Sequence, residues 1–175
     1  SSYRRGAASA PAKIREALFC DSSNLWTENG IDLDATPGWH ILPDIELPAD
    51  KESAFDRIET RTAEFLENGL RIISLGGDHS VTLPVIRAHA GLYPELTILQ
   101  LDAHPDTYDE FQGNRNSHAC PFARIMEENP GMKLVQAGIR TCTPHQREQA
   151  LKFGIKTIEM KQMDQQQRFG FKGPV

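Results

Sequence analysis

Three observations predict a three-layer α/β fold built on a mainly parallel sheet. Strand-like apolar runs alternate with helical patterns from residue 50 onward, which implies parallel strands with helices on both faces. Thr97 to Leu101 carries Ile98, Leu99 and Leu101, a run suited to a strand buried on both sides. Two such runs end in chemistry-bearing residues, Gly76-Gly77-Asp78-His79 and Asp102-Ala103-His104-Pro105-Asp106, and ligands gather at the carboxyl ends of parallel strands.

The elements follow in order. Ser1 to Ala10 is small and polar and reads as a loop, and Pro11 then sits in the first turn of a helix whose apolar face is Ile14, Leu18 and Phe19. Asp21 to Gly38 is rich in turn formers and reads as an irregular connection, with Trp26 and Trp39 as packing anchors. His40 to Leu47 reads as a strand. Asp50 to Asn68 spaces Ala54, Phe55, Ile58, Ala63, Phe65 and Leu66 among charges, an amphipathic helix that stops at Gly69. A buried strand at Leu70 to Leu75 and a helix at Thr82 to Ala90 come next, with Pro84 near that helix's start. After the central strand, Cys120 to Glu128 is helical, Lys133 to Ile139 a strand, Pro144 to Phe153 a helix and Ile155 to Met160 a last strand. Gln162 to Gln167 is a glutamine-rich, solvated loop.

Composition narrows the function. With 175 residues, 39% of them hydrophobic, the chain fits one domain better than two. A net charge of -5 and a pI near 5.7, without a basic run, argue against nucleic acid as partner. No apolar run reaches the length that spans a membrane. Cys20, Cys120 and Cys142 lie far apart and unpaired in motif, which argues against a disulfide framework or structural zinc and points to a reducing cytoplasm. Without an initiator methionine at one end, and with Gly173-Pro174-Val175 reading as the approach to another strand, residues 1–175 are expected to be the N-terminal and central portion of a longer domain.

If the chain stays extended past Leu101, Asp102 and His104 project to one side, and the turn at Pro105 brings Asp106 back toward them. His79, at the end of the preceding strand, is expected on the same sheet edge. Carboxylates held this close repel unless a cation compensates them, so metal binding is the expected chemistry. Oxygen and imidazole ligands leave manganese, iron, zinc and nickel open, and the carboxylate excess favours manganese. A bridging carboxylate and an ion pair can hold a hydroxide at neutral pH, which makes hydrolysis the natural reaction class. Gly76 and Gly77 allow close backbone approach at the turn. They form no phosphate loop, because no Gly-Lys-Ser or Gly-Lys-Thr ending follows.

Gly-Gly-Asp-His-Ser followed by Leu-Asp-Ala-His-Pro-Asp resembles the ureohydrolase family of arginases and agmatinases. The likeness runs from Gly6-Ala7-Ala8-Ser9-Ala10-Pro11 to Gln136-Ala137-Gly138-Ile139-Arg140. It implies an arginase-like fold and an agmatinase-like hydrolysis of a guanidino compound to urea and an amine. By the resemblance, His79 and Asp106 serve one manganese, Asp102 bridges two, and His104 serves the second. His118 is similar in placement to the family's proposed proton shuttle, a role that a neutral imidazole can fill. The family's second Asp-x-Asp motif and its later guanidinium-binding glutamate are not in this sequence, so the 175 residues alone are expected to be inactive and to hold metal weakly. A homo-oligomer is expected of the complete protein.

Arginases resemble one another in an asparagine two residues after the last aspartate of Asp-x-His-x-Asp, where this chain has Tyr108. That difference favours a guanidine without an α-carboxylate, such as agmatine, with Asp109 or Glu110 attracting its ammonium end. Arginine or another guanidino acid is the alternative substrate. A dinuclear phosphoesterase is a rival, but its motif order is wrong here, and Gly113-Asn114 is followed by Arg115 rather than histidine. A non-catalytic metal-binding relative would require ligand loss, and none of the four ligands implied for this stretch is lost.

Overall fold

The computed structural model describes residues 6–163, arranged as two compact units that part between Leu92 and Tyr93. Ser1 to Arg5 of the expected Ser1 to Ala10 loop, most of the glutamine-rich stretch and the terminal Gly173-Pro174-Val175 lie outside the described residues.

The first unit is helical. A short 3-10 turn at Ala7–Ser9 leads into α1 (Ala10–Leu18), with Pro11 in its first turn as expected. The expected apolar face of α1 is largely exposed, with Phe19 just beyond the helix stacked on Trp39 at 6.5 Å. Trp39 is an anchor, since its indole N–H also donates to the Leu33 carbonyl, whereas Trp26 is exposed in a small turn that bridges to Asp32. The helix α2 (Lys51–Glu67) starts at Asp50, whose carboxylate accepts from the Ser53 amide at 2.8 Å. It ends where Gly69 takes φ 74 and the amides of Gly69 and Leu70 donate back to Leu66 and Phe65. Its inner face, Phe55, Ile58, Thr62 and Leu66, packs on α3 (Thr82–Leu92), which buries Leu83, Pro84 and Ala88.

Two expected strands do not form here. Among the described residues His40 to Leu47 has no ladder partner, and it leaves Ile41, Leu42 and Leu47 exposed. Pro43 interrupts it and Pro48 follows it, and each removes a backbone donor that a ladder needs. Leu70 to Leu75 is likewise unpaired, with Ile73 91% exposed. Its apolar run meets the side-chain requirement of a buried strand, but a strand also needs a neighbour, and no described segment bonds to it.

The second unit holds a parallel sheet of β1 (Thr97–Leu101), β2 (Lys133–Ile139) and β3 (Lys156–Glu159), in that order. Thr97 faces Lys133 and Leu101 faces Ala137, while the β2–β3 register slips between Ala137 and Ile139. The crossovers are α4 (Pro121–Glu128) and α5 (Pro144–Phe153). Pro121 opens α4, and Phe122, Ala123, Ile125 and Met126 fill the core beneath it. A capping box between Thr143 and Gln146 opens α5, and Gly154 at φ 66 closes it.

The strand β1 departs from expectation. It alternates rather than burying both faces: Ile98 and Gln100 are inside, while Leu99 is 47% and Leu101 73% exposed. The inward position of Gln100 is stabilised by hydrogen bonds that no apolar side chain could make, described below.

Candidate metal centre

The backbone leaving β1 stays laced to β2 for several residues. The Asp102 amide donates to Ala137, and the amides of Arg140 and Thr141 donate to the Ala103 carbonyl. Gly138 permits this approach, with φ 91 and an ideal Cβ position only 3.3 Å from the Asp102 carbonyl oxygen. The Asp102 carboxylate then folds over its own turn, Oδ1 accepting from the His104 amide at 2.9 Å. Pro105 and Thr107 are buried on either side of Asp106.

Asp106 has φ 48, a left-handed conformation that aspartate tolerates better than most residues. Its carbonyl is fixed by the Phe122 amide at the start of α4. The result is that Asp102 and Asp106 each offer a carboxylate oxygen within 4.8 Å of the other. Two acidic oxygens so close, on a backbone fixed by β2 and α4, fit a divalent cation and would repel without one. The His104 ring lies 3.6 Å from Asp102 through Nδ1 and is 61% exposed, able to turn toward a ligand.

His79 belongs to the first unit and is half-buried in a 3-10 turn, His79–Val81. The Asp78 carboxylate caps this turn by accepting from the Ser80 amide at 2.9 Å. Gly77 is required here by proximity, because a Cβ would stand 2.1 Å from the Ala7 carbonyl oxygen.

His118 precedes α4, its Nδ1 3.3 Å from the Ser117 hydroxyl and its ring edge-on to Phe111 at 5.6 Å. Phe111 and Asn114 close a tight turn, with Gln112 and Gly113 both at positive φ, and this turn sets where Phe111 meets His118. Tyr108 is half-buried, stacked against His145 at 5.9 Å and tilted against Phe111 at the same distance. Asp109 pairs with Arg124 at 2.8 Å and Arg115 at 2.9 Å, and these guanidiniums, Arg124 first, hold its carboxyl below the usual range. Its charge is therefore already matched within the chain. Glu110 is exposed.

Sequence reasoning overlooked Gln100, Gln136 and Arg124. A glutamine inside a strand pattern is ordinarily read as solvent-facing, and Gln100 shares the buried face with Ile98.

Comparison with known proteins gives the site a context. Residues 1–170 match the model of the arginase family. The mitochondrial arginase of Medicago truncatula is 43% identical over 169 residues, covering 92% of this chain and 50% of the relative. The solved structure of the Medicago truncatula arginase superposes with a TM-score of 0.78 at 37% identity, over 91% of this chain and 53% of that one. An N(1)-aminopropylagmatine ureohydrolase of Thermus thermophilus is 40% identical over 104 residues, 59% of this chain and 35% of the relative. The chain thus spans 50% of the Medicago truncatula arginase and 35% of the Thermus thermophilus enzyme.

Proposed function

Because the chain belongs to the arginase family, we propose that the complete protein hydrolyses a C–N bond of a guanidino compound, releasing urea and an amine. The observation that carries the reading is the approach of Asp102 and Asp106 at the end of β1. His79 and His104 would complete the ligand set with these two aspartates. Divalent ions, when bound, supply Lewis acidity and an activated water. Manganese is proposed on the carboxylate-rich donor set.

Hydrolysis forms a bond from water oxygen to the guanidino carbon and breaks the bond from that carbon to the departing nitrogen, which must leave with a proton. His118 is the proposed donor. Ser117 and Phe111 flank its ring and limit its rotation. In the complete protein, His118→Asn should keep metal content and lower turnover by roughly a hundredfold or more. Loss of metal along with activity would place His118 among the ligands instead.

Arginine is the substrate placed first, because the likeness to an arginase covers 92% of the chain whereas that to the aminopropylagmatine enzyme covers 59%. Agmatine is the second reading, carried by Tyr108, with Glu110 and, less readily, the already paired Asp109 as partners for its ammonium end. Urea release from the two compounds, assayed side by side, should favour arginine by roughly a hundredfold in kcat/KM. The reverse ratio would establish the Tyr108 reading. Turnover of neither would overturn the proposal.

Among the described residues no helix is long and apolar enough to cross a membrane. The free thiols of Cys20, Cys120 and Cys142 fit a reducing compartment, the cytoplasm or the mitochondrion named for the relative. A homo-oligomer acting on a small molecule, without nucleic acid, is proposed for the whole.

A further inference from the structure

Two buried glutamines connect the three strands to the loop carrying the aspartates. Gln136, fully buried on β2, donates through Nε2 to the Gln100 Oε1 and to the Pro105 carbonyl, both at 2.7 Å. Gln100, 5% exposed on β1, donates through Nε2 to the His104 carbonyl at 2.9 Å and the Asp102 Oδ2 at 3.3 Å. The hydroxyl of Thr157 on β3 donates to the Gln136 Oε1 at 3.4 Å.

The direction of this chain is determined by its acceptors. The carbonyls of His104 and Pro105 accept only, so each glutamine must present its NH2 group to the loop and its oxygen to the preceding donor. A flip of either amide would set oxygen against oxygen in a dry interior, where an unmade bond costs most. Asp102 thus has one oxygen held by the His104 amide and the other by Gln100.

We infer that Gln136 and Gln100 are positioning residues, an amide relay across the sheet that fixes Asp102 and the turn bearing His104 and Asp106, and so sets the affinity of this loop for a divalent cation. The inference rests on the metal reading above. Outer partners of ligating carboxylates carry affinity by restricting their orientation.

The test titrates the metal-stripped, full-length protein with Mn2+ alone by calorimetry, and records the visible spectrum of its Co2+-loaded form. Gln100→Met and Gln136→Met keep volume while deleting the amides. Each should weaken Mn2+ binding roughly tenfold to a hundredfold and shift the Co2+ bands. The double variant Q100M/Q136M strands neither glutamine amide on its own, and its loss should be less than the two single losses added. Leu134→Ala, buried on β2 outside the relay, should lower Tm while leaving Mn2+ affinity and Co2+ bands unchanged.

Folded glutamine variants that bind Mn2+ like the wild type would overturn the inference alone. So would a Leu134→Ala protein that loses affinity as they do. A wild type that binds no Mn2+ would overturn the metal reading, and the inference with it.

Discussion

At the scale of single residues, backbone freedom and charge pairing decide what the site tolerates. Gly138→Ala would place a side chain at φ 91 and 3.3 Å from the Asp102 carbonyl. A loss of roughly 1–3 kcal/mol in denaturant unfolding is expected, together with a shifted amide resonance for Asp102. An unchanged unfolding midpoint would show that the β1–β2 approach is looser than described. Asp109 gives a pH dependence of known sign. Arg124 and Arg115 depress its folded carboxyl below the ordinary value near 3.8, so its stabilising contribution is present above that value and fades as pH falls through the lower folded one. Because the Asp109 side chain is 45% exposed, the contribution is small. Carbon-detected NMR titration should find Asp109 ionised below pH 3.8, and Arg124→Met should return it toward that value. Asp102, Asp106 and His79 stood out in the sequence because acidic and imidazole groups clustered at the end of apolar runs are rare for packing reasons. Gln100, Gln136 and Arg124 did not, because a polar side chain reveals its burial only through partners on other strands and helices.

At the scale of elements, helices were legible almost to the residue and strands only where a partner followed. The strand β2 and the helix α5 fall at the bounds read from sequence, and α2 is delimited by Asp50 and Gly69, whose capping roles are local chemistry. Pairing is not local. Among the described residues His40 to Leu47 and Leu70 to Leu75 have strand-like composition without a ladder, and Leu99 and Leu101 of β1 stay exposed on the face opposite Gln100. The cap of α5 tests how far local chemistry sustains an element. Thr143→Ala deletes the oxygen that accepts from the Gln146 amide, while the Gln146 side chain still accepts from the residue 143 amide. A cost of about 1 kcal/mol is expected from chemical denaturation, and Thr143→Ser should recover most of it. A neutral Thr143→Ala would mean that tertiary packing alone holds the start of α5.

For the whole molecule, alternation of strand and helix predicted a parallel α/β arrangement, and the three-stranded sheet with its arginase-like superposition bears that out. The substrate was less legible, since Tyr108 is packed with His145 and Phe111 and its position alone does not choose between arginine and agmatine. The central claim is that the loop after β1 exists to hold divalent metal, with Asp102 shared between two ions. Elemental analysis of the full-length protein after dialysis, beside its Asp102→Asn variant, tests this most directly. The account predicts about two divalent ions per subunit in the wild type and nearly none in a folded variant. A metal-free wild type, or a variant that keeps its ions, would contradict it.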